Sequence, residues 1–280
     1  MKEIASNVYA STELPGVNVG FIVMPEGAIA VDAPILPQDA RAWRQRVVEI
    51  AGGPILYVVL TDAHPDRLLS AGLLEAPIVA ARAAHDQASV YTEGFWRGVV
   101  ESWARRFPEA ADDMSGVSVV LPEVMFSSGL TLHKGGMDVT VRHVDGAAPG
   151  SAWVYLPEQD VLFAGDTVVA ESHPFLHAAP DTKAWLDTLT ALRRARFSKT
   201  TIVPGRGPLC DQAASRPLSE YIALARRRVR SWHAAGARAD VGDSVAEMLP
   251  LFPVPDDERE LVPRRIKAGL DRLYEELETE

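Results

Sequence analysis

Residues 55–67 read Ile55-Leu56-Tyr57-Val58-Val59-Leu60-Thr61-Asp62-Ala63-His64-Pro65-Asp66-Arg67, an unbroken apolar run that ends in a cluster of ionisable groups. An apolar run without polar alternation predicts a strand buried on both faces. The loop at the C-terminal end of such a strand is where layered α/β folds keep their chemistry. Asp62, His64 and Asp66 belong to residue types that bind metals or move protons. Arg67 does neither, because a guanidinium carries donors only and stays charged.

Around this stretch the chain alternates between strand-like and helix-like patterns. Residues 17–24 and 28–32 are short β-rich runs broken by Pro25-Glu26-Gly27. Residues 38–51 predict a helix, with Ala42, Trp43, Val47, Val48 and Ile50 as its stripe. Residues 82–114 read as helical, with Trp96, Val99, Val100, Trp103 and Phe107 recurring on one side. Strands return over 117–163, where 130–133 and 139–143 alternate around a hairpin turn at Gly135-Gly136. A helix over 183–196 and a strand over 200–203 follow. Beyond Asp211 the chain is mainly helical, over 218–237 and 264–278, with Pro250, Pro253, Pro255 and Pro263 interrupting. The run Arg226-Arg227-Arg228-Val229-Arg230 reads as a solvated helix face with salt bridges.

Four segments, in order, resemble the metallo-β-lactamase superfamily, the glyoxalase II-like metallo-hydrolases. Thr61 to Arg67 is similar to its T-H-x-H-x-D-H signature, with Asp62 and Arg67 in place of two histidines. Gly146-Ala147-Ala148-Pro149-Gly150-Ser151 resembles G-H-T-P-G-S, with Ala147 at a histidine position. Val161-Leu162-Phe163-Ala164-Gly165-Asp166 resembles V-L-F-x-G-D, and Val203-Pro204-Gly205-Arg206-Gly207 resembles V-P-G-H-G with Arg206 for histidine. Any one short motif carries a false-positive risk; four in order make a fold assignment. The resemblance implies a four-layer αβ/βα sandwich over 1–210, helical insertion about 82–114, and a C-terminal helical extension over 211–280 packed on it. An insertion at 82–114 can form a wall of the substrate pocket in such folds. Apolar periodicity is first a burial signal, so packing on the core or on a second subunit is the expectation here.

The resemblance also implies ligand positions: Asp62, His64 and Ala147 for a first metal, Asp66, Arg67 and Arg206 for a second, and Asp166 as the bridge. Only His64, Asp66 and Asp166 keep the family's residue. A +1 and a +2 charge about 4 Å apart repel by roughly 8 kcal/mol at an effective dielectric near 20. Two guanidiniums therefore oppose the second cation more than a missing donor would. They also suit the carboxylates left behind, because Asp66 and Asp166 without a metal would repel each other. Bidentate hydrogen bonds from Arg67 and Arg206 would relieve that. The expectation is a chain without a dinuclear zinc centre and with no cofactor. It would bind a small anionic ligand or a partner in the old cleft through Arg67, Arg206, Asp62 and His64. The alternative is a hydrolase of an ester, thioester or lactone. It would use one divalent metal (Mn, Fe or Zn) at Asp62, His64 and Asp166, an oxygen-rich set, with Asp66 catalytic if a metal-bound water is present. A conventional dinuclear zinc hydrolase would need donors from outside the motifs.

The remaining candidates carry weaker signals. His173 and His177 are possible substitute ligands or ordinary loop histidines, and His143, Asp145 and Glu171 are near in sequence. His85, His133 and His233 have no motif context. Asp32, at a strand end, resembles a buried aspartate that braces the motif loop through backbone amides. Ser151 and Thr167 show no nucleophile-elbow pattern, Gly205 and Gly207 fit a backbone turn, and Cys210 has no partner pattern.

Composition narrows the partners. With 280 residues, 47% hydrophobic and 24% charged, the chain has ordinary globular proportions. Its net charge of −10 opposes polyanions, which argues against nucleic acid and against an anionic membrane surface. A single cysteine makes no internal disulfide, and neither an apolar leader nor a run long enough to span a bilayer is present, so a cytoplasmic setting is expected. The expected partner is a small molecule, with a homodimer possible through 82–114 or the C-terminal helices.

Overall fold

A computed structural model describes residues 1–134, 136–235 and 241–278. Seven strands form the first sheet in sequence order: β1 (Lys2–Ala5), β2 (Val8–Ser11), β3 (Val19–Met24), β4 (Gly27–Val31), β5 (Ile55–Val59), β6 (Ile78–Ala81) and β7 (Val124–Phe126). The first four pair antiparallel as a meander, and β4 to β7 pair parallel. Parallel neighbours need crossovers. These are α1 (Pro37–Ala51), the segment holding α2 (Pro65–Leu68), and the run of α3 (Arg82–Ser89), α4 (Glu93–Arg106) and α5 (Ala111–Ser115). The second sheet has the order β12-β11-β10-β9-β8 and comprises β8 (Gly129–Lys134), β9 (Met137–His143), β10 (Ala152–Leu156), β11 (Val161–Val169) and β12 (Thr201–Arg206). Its one parallel pair, β11 with β12, is joined through α6 (Thr182–Leu192). Three further helices, α7 (Ser215–Ala234), α8 (Val241–Met248) and α9 (Leu261–Glu278), complete the described chain.

Three apolar seams hold the layers. Between the sheets, Ile22, Ile29, Val31 and Val59 meet Val141, Val154, Val161 and Phe163. Outside the first sheet, Trp43 and Val47 of α1 cover Phe21, Ala30 and Val58. Outside the second sheet, Trp185 of α6, Ile222 and Val229 of α7, and Ile266 and Leu270 of α9 cover Leu162, Val168 and Ile202. Each such side chain contributes roughly 1.5–3 kcal/mol by leaving water. The result is the four-layer αβ/βα sandwich, with the C-terminal helices sharing the second sheet's outer core.

Several expected boundaries shift for identifiable reasons. The region 82–114 is three helices, preceded by β6, whose Ile-Val-Ala-Ala run is too short to separate strand from helix by period. The last helix starts at Leu261 rather than at 264, because Pro263 falls in its first turn, where no intrahelical N–H is required. Strands β1 and β2 and helix α8 carry no strong pattern in the sequence, and the structure adds them. The hairpin joining β8 and β9 is present, with Gly136 at φ +76, while Gly135 lies outside the described residues. The expected end of the 218–237 helix, at Gly236 and Ala237, also lies outside them. Arg226 is not solvated: it is buried and pairs with Glu276 at 2.6 Å, tying α7 to α9. Arg228 does lie on the exposed face, paired with Glu247.

Candidate functional site: an arginine–aspartate cage under an aromatic cleft

The C-terminal ends of β4, β5, β11 and β12 converge and bring Asp32, the 61–67 loop, Asp166 and Arg206 together. Asp32 holds the loop down. Its Oδ1 accepts the backbone N–H of Thr61 at 2.9 Å and its Oδ2 accepts the Thr61 hydroxyl at 2.7 Å. Asn18 fixes the opposite side, donating to the carbonyls of Pro204 and Gly207 at 2.8 Å each.

Arg67 has no exposed surface and sits among three carboxylates. Its Nη2 and Nη1 donate to the two oxygens of Asp166 at 2.9 and 3.2 Å, a bidentate fork. Its Nε donates to Asp32 Oδ2 at 3.1 Å and to Thr61 Oγ1 at 2.8 Å. Arg206 joins the second pair: Nε donates to Asp166 Oδ2 at 3.2 Å, Nη2 to Asp66 Oδ2 at 3.0 Å, and Nη1 to the Gly16 carbonyl. The Phe175 ring covers this guanidinium, 4.3 Å from its carbon. Gly205 has to lack a side chain here, because a Cβ would run into Asp166 Oδ1 and Arg67 Nη2.

The carboxylates titrate accordingly. Burial would raise Asp166, but Arg206 and Arg67 outweigh it and hold the acid well below the ordinary range. For Asp66, burial is likewise overcome, by His64, Arg206 and the Trp103 N–H. Asp62 goes the other way: burial pushes it up to about 6 despite Arg67, whose Nη1 stands 3.4 Å from Oδ1. Its Oδ1 accepts the His64 backbone N–H at 2.8 Å, while its Oδ2 has no hydrogen-bond partner among the described residues. Burial lowers His64 to about 4, so its imidazole is neutral.

Above the cage lies a cavity of about 610 Å³. His64, Pro65 and Asp66 line it at the cage, which we call its floor; Tyr91, Phe95, Val99 and Trp103 line it with the polar Gln87 and Ser102, and Pro149, His177 and Pro180 add to the lining. Helix α4 thus both packs on the core and walls the pocket. Trp96, Val100 and Phe107 pack on the core, while Val99 and Trp103 also face the cavity. Trp103 is a site residue that its place in an apolar stripe conceals: its indole N–H donates to Asp66 Oδ1 at 2.9 Å. The available signal was chemical, since a buried tryptophan needs an acceptor for its N–H.

The structure places the other candidates as follows. Arg67 and Arg206, expected to hold a ligand, do not line the cavity; their donors are engaged by Asp32, Asp66 and Asp166. Asp62 is fully buried beneath the floor, and of the four ligand-binding candidates only His64 reaches the cavity. His173 is not a substitute ligand, being buried between the Tyr221 hydroxyl (3.3 Å) and the Phe252 carbonyl (3.2 Å). His177 lies on the cavity wall. Ala147 is buried and brings no donor. Ser151 and Thr167 bond the carbonyls of Ala148 and Ala164, so neither hydroxyl is poised as a nucleophile. Burial pushes the Cys210 thiol up to about 12, away from the reactive thiolate form.

A metal centre at this position would need Asp166 as a shared ligand. Both of its oxygens take guanidinium N–H groups instead. Among the described residues no group of three or more His, Cys, Asp or Glu side chains is placed to hold an ion. The donor set does not fit a dinuclear centre.

Comparison with known proteins agrees with this architecture. The profile of the Metallo-beta-lactamase superfamily matches residues 13–206, and the chain belongs to that superfamily. A linear primary-alkylsulfatase from Pseudomonas sp. (strain ATCC 19151) is 23% identical over 220 residues, 66% of this chain and 40% of that protein. The chain thus spans less than half the length of this relative. Among solved structures, a stereoselective inverting sec-alkylsulfatase from Pseudomonas sp. superposes with a TM-score of 0.70 at 16% identity, covering 98% of this chain and 49% of the other. A metallo-beta-lactamase family protein from Thermus thermophilus gives 0.65 at 21% identity, covering 98% and 95%. At these identities the structural likeness concerns the fold.

Proposed function

We propose that this chain is a superfamily member whose dinuclear metal centre is replaced by a fixed Arg–Asp cage, and that the cleft above the cage binds a small molecule. The observation that carries the reading is the bidentate Arg67–Asp166 contact, with Arg206 sharing the same carboxylate. Three guanidinium N–H groups occupy most of the lone-pair sites of this carboxylate, and two permanent positive charges stand where a second cation would have to sit. The cleft supports the binding half of the reading: its size is that of small-molecule sites, and it joins an aromatic wall to a few polar groups. The test is to purify the protein without added metal, measure bound transition metal per chain, and assay generic esters with manganese or zinc supplied. Near-zero metal and no hydrolysis are the expected results. One or more equivalents retained through dialysis, with activity, would overturn the proposal.

One observation favours a second reading, a hydrolase with a single divalent metal. Asp62 Oδ2 is buried without a partner among the described residues, and such an oxygen suits a cation. The alkylsulfatase relative lends a hydrolytic precedent. Under this reading manganese would bind with one-to-one stoichiometry, and Asp62→Ala would abolish both binding and turnover.

A further inference from the structure

The hydrogen bonds around His64 fix which of its ring nitrogens carries the proton. Nδ1 accepts the backbone N–H of Asp66 at 3.3 Å and faces Nη2 of Arg206 at 3.5 Å. A backbone amide and a guanidinium are donors only, so Nδ1 supplies its lone pair. Asp66 Oδ2 is also 3.5 Å from Nδ1, but that oxygen already accepts from Arg206 at 3.0 Å. The proton therefore resides on Nε2. No described residue accepts a hydrogen bond from Nε2, and His64 is a floor residue of the cavity.

The rest of the floor offers little to a charged ligand. Asp66 accepts from Trp103 on one oxygen and from Arg206 on the other, so its charge is already matched. Arg272, also on the lining, is 36% exposed and already stands 3.7 Å from Glu275, which weakens its pull on an anion. The Tyr91 hydroxyl is directed at the Ala63 carbonyl, 3.3 Å away, which leaves its ring and that of Phe95, stacked at 4.1 Å, as an apolar wall.

Resting on the reading of the cleft as a binding site, we infer that its ligand is a neutral, largely aromatic molecule with a hydrogen-bond-accepting oxygen held by the Nε2–H of His64. The Tyr91–Phe95 aromatic pair offers the ring system an apolar contact and the imidazole fixes its orientation. A ligand that lacks the acceptor leaves a donor unpaired in a desolvated floor. Arg206 acts through His64, as a positioning residue that helps keep its tautomer.

The test compares three probes by calorimetry: 2-acetylnaphthalene, 2-isopropenylnaphthalene and 2-naphthoate. The first two differ only in C=O against C=CH2. The ketone is expected to bind at least about tenfold more tightly than the hydrocarbon, the size of one desolvated hydrogen bond. His64→Phe should erase that preference while the hydrocarbon still binds. A long-range proton–nitrogen correlation spectrum of the wild-type protein needs no variant. It should show one histidine in the Nε2–H form whose signals move on adding the ketone and not the hydrocarbon. Equal binding of ketone and hydrocarbon, or tighter binding of the naphthoate, would overturn this inference and leave the cleft as a binding site. Failure of all three probes to bind would remove the cleft reading itself.

Discussion

Arg67 is the residue on which the site turns, because it is a permanent charge with no exposed surface. Replacing it by Met leaves Asp32 and Asp62 without a counter-charge and Asp166 with Arg206 alone. Breaking a buried pair in this way costs about 3–5 kcal/mol, to be read from denaturant midpoints. Trp103→Phe keeps the aromatic wall and strips one donor from Asp66. It should cost about 1–3 kcal/mol with little change in the fold. Asp62 gives a pH signature. Its folded value, near 6, lies above the unfolded value, so its contribution to stability is full below about pH 4 and is lost as pH rises through 6. That loss is on the order of 2–3 kcal/mol and should vanish in Asp62→Asn. Asp66 and Asp166, held low, act in the opposite sense: their contribution is present above about pH 4 and is lost only in stronger acid. The pairing of Arg67 and Arg206 with Asp66 and Asp166 was legible from the residue types at the motif positions. The rest of their bonding was not. It depends on Asp32, Gly16 and Thr61 arriving at the same point, and on Asn18 fixing the 203–207 turn.

At the scale of elements, the strand ends build the cage and the helices build the cleft. Strand β5 and its loop could be read directly, because an apolar run that ends in a charged cluster fits little besides a buried strand feeding a polar site. Helix α4 was harder. Its stripe reports burial without saying whether the buried face meets core or cavity, and in this chain it meets both. The tail shows the same limit: Arg226 sits in a run of arginines, and only the packing of α9 against α7 reveals that Glu276 takes it into the interior. Thr182 adds its hydroxyl and backbone N–H to that carboxylate, so three helices meet at one buried ion pair. Glu276→Ala is expected to destabilise the protein by about 3–5 kcal/mol, visible as a lower thermal midpoint. It should leave ligand binding in the cleft unchanged once the protein is folded.

The whole molecule keeps the superfamily's layers while changing what lies at their convergence. Fold does not fix chemistry. Among the described residues no helix is long and apolar enough to cross a membrane. Restoring histidines through Asp62→His, Arg67→His, Ala147→His and Arg206→His should convert the cage into a site that retains zinc through dialysis, as measured by metal content. The most direct measurement on the native chain is anomalous diffraction at the zinc edge from crystals grown in excess zinc. The account predicts guanidinium density and no anomalous peak between Asp66 and Asp166. A peak at coordination distance from both carboxylates, with Arg67 and Arg206 turned away, would contradict it.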